Sequence, residues 1–336
     1  MQNNINNAIS NTKNSSNKNN NQPFENLYSN IIEPLIIPYE NERLQTFWIT
    51  LIKIIFINIS LIALDFFVYS TMHLNIEDEV ARYIISAPLI VDFLATCLVY
   101  ETADSKIRKE AKYNILKPMT PLIGELIWTE EHLITRSDIQ KFKFCLRAEE
   151  ETADDGFKGS LEEVPVKIQE IYLEHTEGAG RSRHEVIDFK GIAISLRMNK
   201  TFKGLTIVKR DLGNFLGLNR NAKSIAGLEK VALESIDFEK EFEVYSSDQV
   251  EARYILTTSF MEKLENIKND FSAKYVECGF FEGHVLFLLW TQKDMFEVGD
   301  LIHSFKNKEM YEEAYNEMKS ISEMIKHLKL NIKTGL

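Results

Sequence analysis

The sequence predicts an α+β protein in which a two-helix transmembrane hairpin is followed by a soluble domain of mixed sheet and helices. Two observations favour this class. Apolar residues before residue 100 are concentrated in two long runs, and short alternating or fully apolar segments beyond residue 165 are typical of strands. Helical patterns flank those strands without the regular strand–helix alternation of a parallel α/β fold. The sheet and its helices should therefore form one α+β domain that follows the hairpin.

The amino terminus is rich in Asn, with Ser and Lys between the Asn residues. It lacks the apolar core that a signal peptide needs. Such a polar tract cannot bury enough surface to offset its ordering entropy, so residues 1–25 are predicted to be a disordered tail. The Asn excess is typical of an AT-rich genome, and a secretion or interaction tail is the alternative.

Two apolar runs are long enough to approach the thickness of a bilayer as helices: Ile54–Met72 and Tyr83–Tyr100. Each Leu, Ile, Phe or Val favours insertion by roughly 0.3–0.6 kcal/mol, whereas a central Asp opposes it by roughly 2.5–3.5 kcal/mol. Because each run contains an Asp, neither should insert firmly alone, but a hairpin lets the polar groups face each other. A soluble pair of buried helices would need a large covering core. We therefore predict a transmembrane hairpin within residues 45–100.

The charges that flank the two runs predict the orientation. The connection between them is acidic, whereas Lys and Arg residues precede the first run and follow the second. Positive residues stay cytoplasmic, so we expect a bacterial inner-membrane protein with both termini in the cytoplasm. Residues 101–128 would form a juxtamembrane helix and linker, and residues 129–336 a cytosolic α+β domain. The flanking cations are Arg43, Lys53, Lys106, Arg108, Lys109, Lys112 and Lys117.

Asp65 and Asp92 would lie near the middle of an antiparallel hairpin, offset by about 4 Å at a rise of about 1.5 Å per residue. Ionisable groups at this depth are by default a hypothesis of a functional site. Two close carboxylates would share a proton, which predicts proton or cation sensing, or a polar contact within an oligomer. The alternative is that both are protonated, or that tilted helices expose them to water.

Beyond the hairpin, the pattern predicts helices at the two ends of the domain and strands between them. Gly178-Ala179-Gly180 is a turn signal that should pair the first two strands. The predicted helices are Glu130–Arg147, Ser259–Phe271 and Glu309–Leu330, and the predicted strands are Val166–His175, Glu185–Met198, Leu205–Lys209, Lys230–Leu233, Phe242–Ser246, Tyr275–Gly279 and His284–Thr291.

Composition and the reactive residue types limit the function classes. A net charge of −11 disfavours binding to nucleic acid, whose affinity comes from neutralised phosphates. Cys97, Cys145 and Cys278 are too far apart for a metal or redox motif and suggest a reducing compartment. None of the seven histidines forms a close ligand pair, although His175 and His184 flank one predicted turn. We expect neither a metal nor another cofactor.

Two blocks of the sequence resemble a known family. Leu228–Leu264 contains the patterns Phe-x-Val-Tyr, Asp-Gln-x-Glu-Ala-Arg-Tyr and Leu-Thr, and Phe189–Val208 is the second block. Both resemble the bacterial family called domain of unknown function 3137. The resemblance covers most of Met119–Leu330 and implies an architecture in which a two-span hairpin precedes the domain. That family has no established activity, so the resemblance implies no mechanism.

The first of these blocks is also a candidate site. Its side chains could perform acid–base chemistry around Arg253, together with the neighbouring tyrosines. In the structural interpretation, Asp248 caps a short helix and Arg253 joins it to a strand through a carboxylate pair. The absence of a nucleophile or metal ligand from the block favours the structural interpretation. The candidate residues are Glu243, Tyr245, Asp248, Gln249, Glu251, Arg253 and Tyr254.

Two predicted loops are weaker candidates. The turn that carries Arg181 and Arg183 offers backbone amides and two cations, which could hold a phosphate or touch anionic headgroups. The acidic run over residues 149–155 lacks the ligand spacing of a calcium-binding loop, so a solvated loop is expected there.

The last helix carries an apolar seam at heptad spacing. Such a seam usually packs on its own domain, and self-association or docking of a partner helix is the alternative. The seam consists of Tyr311, Ala314, Met318, Ile321, Ile325 and Leu328.

The sequence therefore predicts a membrane-anchored cytosolic module that binds or scaffolds a partner, with the lipid bilayer as one partner. The alternative is a membrane-tethered hydrolase whose site is not visible in sequence spacing. A deep polar pocket that gathers Glu243, Tyr245, Arg253 and a histidine would favour the enzyme, whereas a flat apolar patch would favour binding.

Overall fold

A computed structural model describes residues 22–72, 79–116, 125–161, 163–198, 202–210, 214–215, 218–219, 225, 227–233, 235–291, 297 and 299–333. The Asn-rich tail up to residue 21 and the acidic connection at 73–78 lie outside these residues. The chain divides into two compact units, Met1–Leu116 with Glu297–Glu312, and Lys117–Phe296 with Glu313–Leu336.

The first unit is helical. Its two long helices follow the predicted apolar runs but extend well beyond them, and the first helix has 40 residues, about 60 Å at the usual helical rise. Asn58 Nδ2 donates to Thr96 Oγ1 at 3.2 Å, so these two helices touch each other. The elements are α1 (Gln22–Leu27), a π-helical turn (Tyr28–Ile32), α2 (Glu33–Met72), α3 (Glu79–Ala111) and a second π-helical turn (Lys112–Leu116).

The second unit is built on a nine-stranded sheet with the order β1-β2-β3-β4-β11-β10-β5-β9-β8, in which every pair is antiparallel. Its strands are β1 (Glu125–Thr129), β2 (Glu150–Leu161), β3 (Val164–Glu177), β4 (His184–Arg197), β5 (Thr206–Arg210), β8 (Glu229–Val231), β9 (Phe242–Ser246), β10 (Tyr275–Phe281) and β11 (His284–Trp290). A separate two-stranded ribbon consists of β6 (Asn214–Phe215) and β7 (Leu218–Asn219).

Four further helices lie between strands along the chain: α4 (Arg136–Lys141), α5 (Ile236–Glu241), α6 (Gln249–Ile255) and α7 (Thr258–Asp270). The closing helix α8 (Lys308–Lys333) begins in the first unit. The class is therefore mixed α+β, with a long apolar helix near the amino terminus and an antiparallel sheet domain, as the sequence predicts.

All seven predicted strands are confirmed to within two residues, because their apolar patterns reflect real burial. β11, with its unbroken apolar run, lies between β4 and β10, and residues 285–289 of it are buried. β3 and β4 pair across the predicted Gly-rich turn, where Glu177 lies opposite His184. The predicted helix Ser259–Phe271 is observed one residue earlier as α7, and its N-cap Thr257 accepts a hydrogen bond from the amide of Phe260.

The prediction of one helix over Glu130–Arg147 is wrong. Only Arg136–Lys141 is helical, and its start is fixed by a capping box between Thr135 and Asp138. Lys143 and Cys145 have φ values of +61° and +48°, a left-handed conformation that ends the helix.

The solvated loop expected over residues 149–155 is also wrong, because Glu150 onwards forms strand β2. The strand contains a bulge between Ala153 and Gly156. Within the bulge, buried Asp155 accepts a hydrogen bond from Trp128 Nε1 at 2.8 Å. Bulges of this kind redirect a side chain locally, which explains why an acid can be buried in so acidic a segment.

Candidate functional site

Large apolar side chains are exposed along α2 and α3 and form what we call the apolar belt. Within it Phe56, Phe66 and Phe93 are 71%, 72% and 68% exposed. The segment Phe24–Val68 is long and apolar enough to cross a membrane, and none of its most apolar stretch is buried. Globular proteins rarely leave so large an apolar surface uncovered unless it meets a membrane or a partner. The belt consists of Trp48, Ile49, Ile52, Ile55, Phe56, Ile59, Ile62, Leu64, Phe66 and Phe67 on α2 and Leu89, Ile90, Val91, Phe93, Leu94 and Leu98 on α3.

The two intramembrane candidates, Asp65 and Asp92, are each partly exposed on these helices. Across the described residues no hydrogen bond joins them, and Asp92 Oδ1 is enclosed without a hydrogen-bond partner. The polar contact between the helices is made instead by Asn58 and Thr96. The predicted proton-sharing pair is therefore not formed by direct contact in this structure.

The same unit contains a buried polar cluster, which we call the polar junction. It joins Glu40 and Arg43 of α2 and Asp104 and Arg108 of α3 to residues 297–305. Arg43 and Glu40 form a two-point ion pair of 3.0 Å (Nε–Oε2) and 2.8 Å (Nη2–Oε1), with both side chains under 8% exposed. Arg43 also donates to the carbonyl of Leu301 at 2.7 Å. Its guanidinium therefore both neutralises Glu40 and donates a hydrogen bond to the backbone.

The carboxylate of Glu40 also accepts hydrogen bonds from the segment that contains Leu301. Its Oε1 accepts from Ser304 Oγ at 2.9 Å and its Oε2 from the amide of Phe305 at 3.0 Å. Burial alone would raise the pKa of Glu40, but the hydrogen bonds from Arg43, Ser304 and Phe305 outweigh burial and lower it. Glu40 is therefore held as a carboxylate.

The α3 side of the junction repeats this arrangement. Asp104 accepts from the amide of Leu301 at 2.8 Å and from Arg108 Nε at 2.8 Å. Arg108 reaches Glu297 at 3.2 Å, and Lys112 pairs with the same carboxylate at 2.9 Å. The junction thus fastens residues 297–305 to both long helices.

The contacts of the polar junction hold chain segments together and leave no group placed for catalysis among the junction residues described above. Its carboxylates already accept hydrogen bonds from cations or backbone amides, so none is poised as a free base. Sequence reasoning treated Arg43, Arg108 and Lys112 only as flanking cations and missed their acids. The i,i+3 pair Glu40–Arg43 and the i,i+4 pair Asp104–Arg108 were the available signals.

The family motif in the second unit has a mainly structural arrangement. Tyr245 donates its hydroxyl to Glu243 at 3.0 Å, and Lys230 of neighbouring β8 pairs with Glu243 at 2.6 Å. Glu243 and Tyr245 are buried on β9, the penultimate strand of the sheet. The strand pairing therefore explains this contact without a ligand.

The end of β9 is tied to a neighbouring loop by the next motif residues. Asp248 caps α6 by accepting from the amides of Val250 and Glu251, as predicted. The carboxylate of Glu251 then accepts from the amides of Lys203 and Gly204 at 2.9 and 2.8 Å. These contacts fix the loop before β5 against the start of α6.

The prediction that Arg253 bridges α6 to a strand is wrong. Arg253 is exposed, and among the described residues it donates to the carbonyl and side chain of Gln249, one turn earlier on the same helix. Tyr254 is also largely exposed. The motif residues therefore do not gather into one polar pocket, and none of the histidines contacts them in the described part of the chain.

The turn between β3 and β4 carries the candidate anion loop. Arg183 donates to Thr176 Oγ1 at 3.4 Å, and Arg181 is exposed. His175 does not meet His184 across this turn. It contacts Asp188 at 2.6 Å and Glu177 at 3.1 Å, and these hydrogen bonds raise its pKa.

The three cysteines differ sharply in their surroundings. Cys97 is exposed on α3, whereas Cys278 is fully buried. Burial, with the nearby carboxylates of Glu277 and Asp188, raises the pKa of Cys145 to about 12, and burial also raises that of Cys278. In the described part of the chain, no group of three or more His, Cys, Asp or Glu side chains is placed to hold a metal ion.

The fold and these sites define an α+β protein with a helix of membrane-spanning length near its amino terminus. The family model described as Protein of unknown function (DUF3137) matches residues 187–330, which confirms the resemblance found in the sequence. No curated protein matches the chain. A solved structure, the crystal structure of the mycobacterial trehalose monomycolate transport factor A, TtfA, aligns with 60% of this chain and 88% of its own, at 10% identity and a TM-score of 0.32.

Proposed function

We propose that this protein is a membrane-anchored module in which α2 and α3 cross the bilayer as a hairpin and the sheet domain binds or scaffolds a partner in the cytoplasm. The apolar belt carries the proposal. Burying its side chains in lipid removes a surface that no other described element covers.

The contacts of the two helices support a hairpin rather than a single span. The Asn58–Thr96 hydrogen bond pairs polar groups that would each be costly in lipid alone. The polar junction lies at the ends of the two helices that carry the flanking cations, where polar headgroups and water would meet it. Both features suit a pair of helices that inserts as a unit.

The orientation follows from the same end of the helices. Arg43 and Arg108 are neutralised within the junction, so the exposed cations Lys53, Lys106 and Lys109 remain to face the headgroups. Lys and Arg at this end favour the cytoplasmic side, which supports an orientation with both termini in the cytoplasm and the helices in a bacterial inner membrane.

Binding is favoured over hydrolysis because the motif side chains satisfy one another. Glu243 is bonded to Tyr245 and Lys230, and Glu251 to two backbone amides. The seam of α8 supports packing within the chain, since Tyr311, Met318 and Ile321 are at most 2% exposed. The surface that binds the partner should therefore lie elsewhere on the sheet domain.

The native cysteines test the anchor directly. In sealed lipid vesicles, a membrane-impermeant maleimide should leave Cys97 unlabelled until detergent is added, because α3 is in lipid. Cys145 and Cys278 should react slowly in either case, because Cys145 is partly buried, Cys278 is fully buried and the pKa of each thiol is raised. Denatured protein, in which all three thiols react, is the positive control. Rapid labelling of Cys97 without detergent, with the protein in the supernatant, would show that the helices are in water.

An added cysteine tests the orientation. Arg183→Cys, on the exposed β3–β4 turn, in a Cys97→Ser background should be labelled in inside-out vesicles and protected in right-side-out vesicles. The reverse pattern would place the domain outside the cytoplasm.

A further inference from the structure

The second unit contains a cavity of about 560 Å³ between helix α4 and one end of the sheet. This volume lies in the range of about 300–1,000 Å³ that is usual for small-ligand sites. No residue of the Leu228–Leu264 block lines it, whereas Ser195 and Arg197 of the Phe189–Val208 block do. Its apolar wall consists of Leu133, Ile134, Phe142, Val166, Phe281 and Leu286.

The strand register places cations together on the cavity side of the sheet. Lys158 of β2 lies directly opposite Lys167 of β3, and Arg197 of β4 lies directly opposite His284 of β11. Directly opposed residues share a face, and like charges in such positions repel each other. Since Lys167 also faces Ser195, two residues before Arg197, the cations form one contiguous group.

The acids of the cavity do not neutralise this group. Asp138 is engaged by Lys141 at 2.9 Å, and Lys158 pairs with Glu131, an exposed residue outside the cavity lining. Lys167 donates to the carbonyl of Leu133 at 3.3 Å and forms no ion pair with any residue in the described part of the chain. Arg197 has no hydrogen bond or ion pair with any residue that the structure describes. Glu282 is the remaining carboxylate of the lining.

The wall beside this group is apolar. Phe142 and Phe281 meet edge to face with ring centroids 6.2 Å apart, and Phe142 and Leu286 are buried in one apolar cluster against which Phe281 packs. An apolar wall next to clustered cations matches a molecule with one apolar chain and one anionic head.

We propose that this cavity binds a single-chain amphiphilic anion, with its phosphate or carboxylate head on Lys158, Lys167 and Arg197 and its chain against Phe142, Phe281 and Leu286. This inference rests on the binding function proposed above and names the chemical class of the ligand. It does not depend on where the long helices lie.

Octyl phosphate is a suitable probe, titrated by calorimetry into the full chain held in detergent-free peptidiscs at low ionic strength. Inorganic phosphate tests the head alone, and octanol tests the chain alone. We expect octyl phosphate to bind about tenfold or more tightly than either, because only it uses both parts of the cavity. Octanoate should bind as well, whereas equal binding of inorganic phosphate would reduce the site to an anion site and overturn the proposal.

Lys167→Gln and Arg197→Gln should each weaken octyl phosphate binding by about tenfold, the effect of losing one charge-assisted contact. Neither should lower the melting temperature, since each relieves repulsion in the free protein. The matched control is Lys240→Gln, which removes one exposed cation from α5, outside the cavity, and should leave the affinity unchanged.

Absence of octyl phosphate binding, or equal binding by all of these variants, would overturn the proposal. The Cys97 labelling would be unaffected by that result, so a failure of this inference and a failure of the membrane anchor are distinguishable.

Discussion

Arg43 donates from Nη1 to the carbonyl oxygen of Leu301 at 2.7 Å, although the two residues are 258 positions apart in the chain. The contact joins the start of a long apolar helix to the segment that leads into the last helix. Asp104 completes the attachment by accepting from the amide of the same Leu301 at 2.8 Å. The carbonyl oxygen and the amide of Leu301 are thus each bound by a side chain from a different long helix.

Arg43→Leu should detach residues 297–305 from the long helices. The substitution leaves Glu40 buried without its cation, and removal of one partner from a buried ion pair typically costs about 3–5 kcal/mol. Limited proteolysis of the full chain in mild detergent should show new cleavage within residues 299–305, together with a lower melting temperature. Glu42→Gln, one residue away on the same helix, should match the wild type. Unchanged protease resistance of Arg43→Leu would mean that the junction does not hold this segment.

The Asn58–Thr96 hydrogen bond predicts a specific cross-link. In a Cys97→Ser background, Asn58→Cys/Thr96→Cys should form a disulfide on mild oxidation in membranes, because the two side chains already touch. Peptide mass spectrometry detects the linked pair. Ile59→Cys/Thr96→Cys is the control and should not cross-link, since Ile59 is 61% exposed on α2. Equal cross-linking by both pairs would show that the helices have no fixed register.

The sequence was informative wherever a signal is local. Strand β9 was predicted over the observed residues Phe242–Ser246, because Phe242, Val244 and Tyr245 are residue types that favour strands wherever they occur together. By contrast, nothing near Glu40 indicated that it would bind Phe305, since that contact depends on how distant segments come together. The bridge predicted for Arg253 was wrong for the same reason, because the sequence shows the charge of a side chain but not its exposure.

Two predictions were wrong because they depended on local backbone geometry that residue type does not indicate. Lys143 and Cys145 adopt positive φ without being Gly, so the helix over residues 130–147 ended earlier than its apolar pattern indicated. Asp155 is buried because a bulge turns it toward Trp128, although its neighbours Asp154 and Glu151 suggested a wet loop. The cavity was equally hidden, since Lys158 and Arg197 are separated in sequence and meet only through strand register.

Glu251→Ala should destabilise the sheet domain by about 1–3 kcal/mol, because the amides of Lys203 and Gly204 lose their acceptors. Glu251→Gln, which keeps one acceptor oxygen, should recover part of that loss. Chemical denaturation of the full chain, followed by the fluorescence of the sheet-domain tryptophans, provides the measurement. Glu262→Ala, at an exposed position of α7, is the control and should lie close to the wild type. A loss in Glu251→Ala no larger than in this control would argue against the role assigned to the motif.

Gly204 supports the same loop by its small size. A Cβ at this position would lie 2.7 Å from Ser247 Oγ and 3.1 Å from Asp248 Cβ. Gly204→Ala should therefore lower the melting temperature through a steric conflict with the Asp248 cap. Gly227→Ala has open space around its Cβ but a positive φ, so it shows the effect of backbone strain without a clash. If Gly204→Ala melts at the wild-type temperature, the loop is free to move away from the cap.

His175 makes the stability of the β3–β4 hairpin depend on pH. Hydrogen bonds with Glu177 and Asp188 raise its pKa, so the folded state favours the protonated ring more than the unfolded state does. This stabilisation is complete below the ordinary histidine pKa of about 6.5 and is lost as pH rises through the folded-state value. The melting temperature of the wild type should therefore fall more than that of His175→Gln between about pH 6 and about pH 9. His184→Gln, an exposed histidine on the adjacent strand, should keep the wild-type slope. Parallel curves for the wild type and His175→Gln would mean that the two carboxylates do not favour the protonated ring.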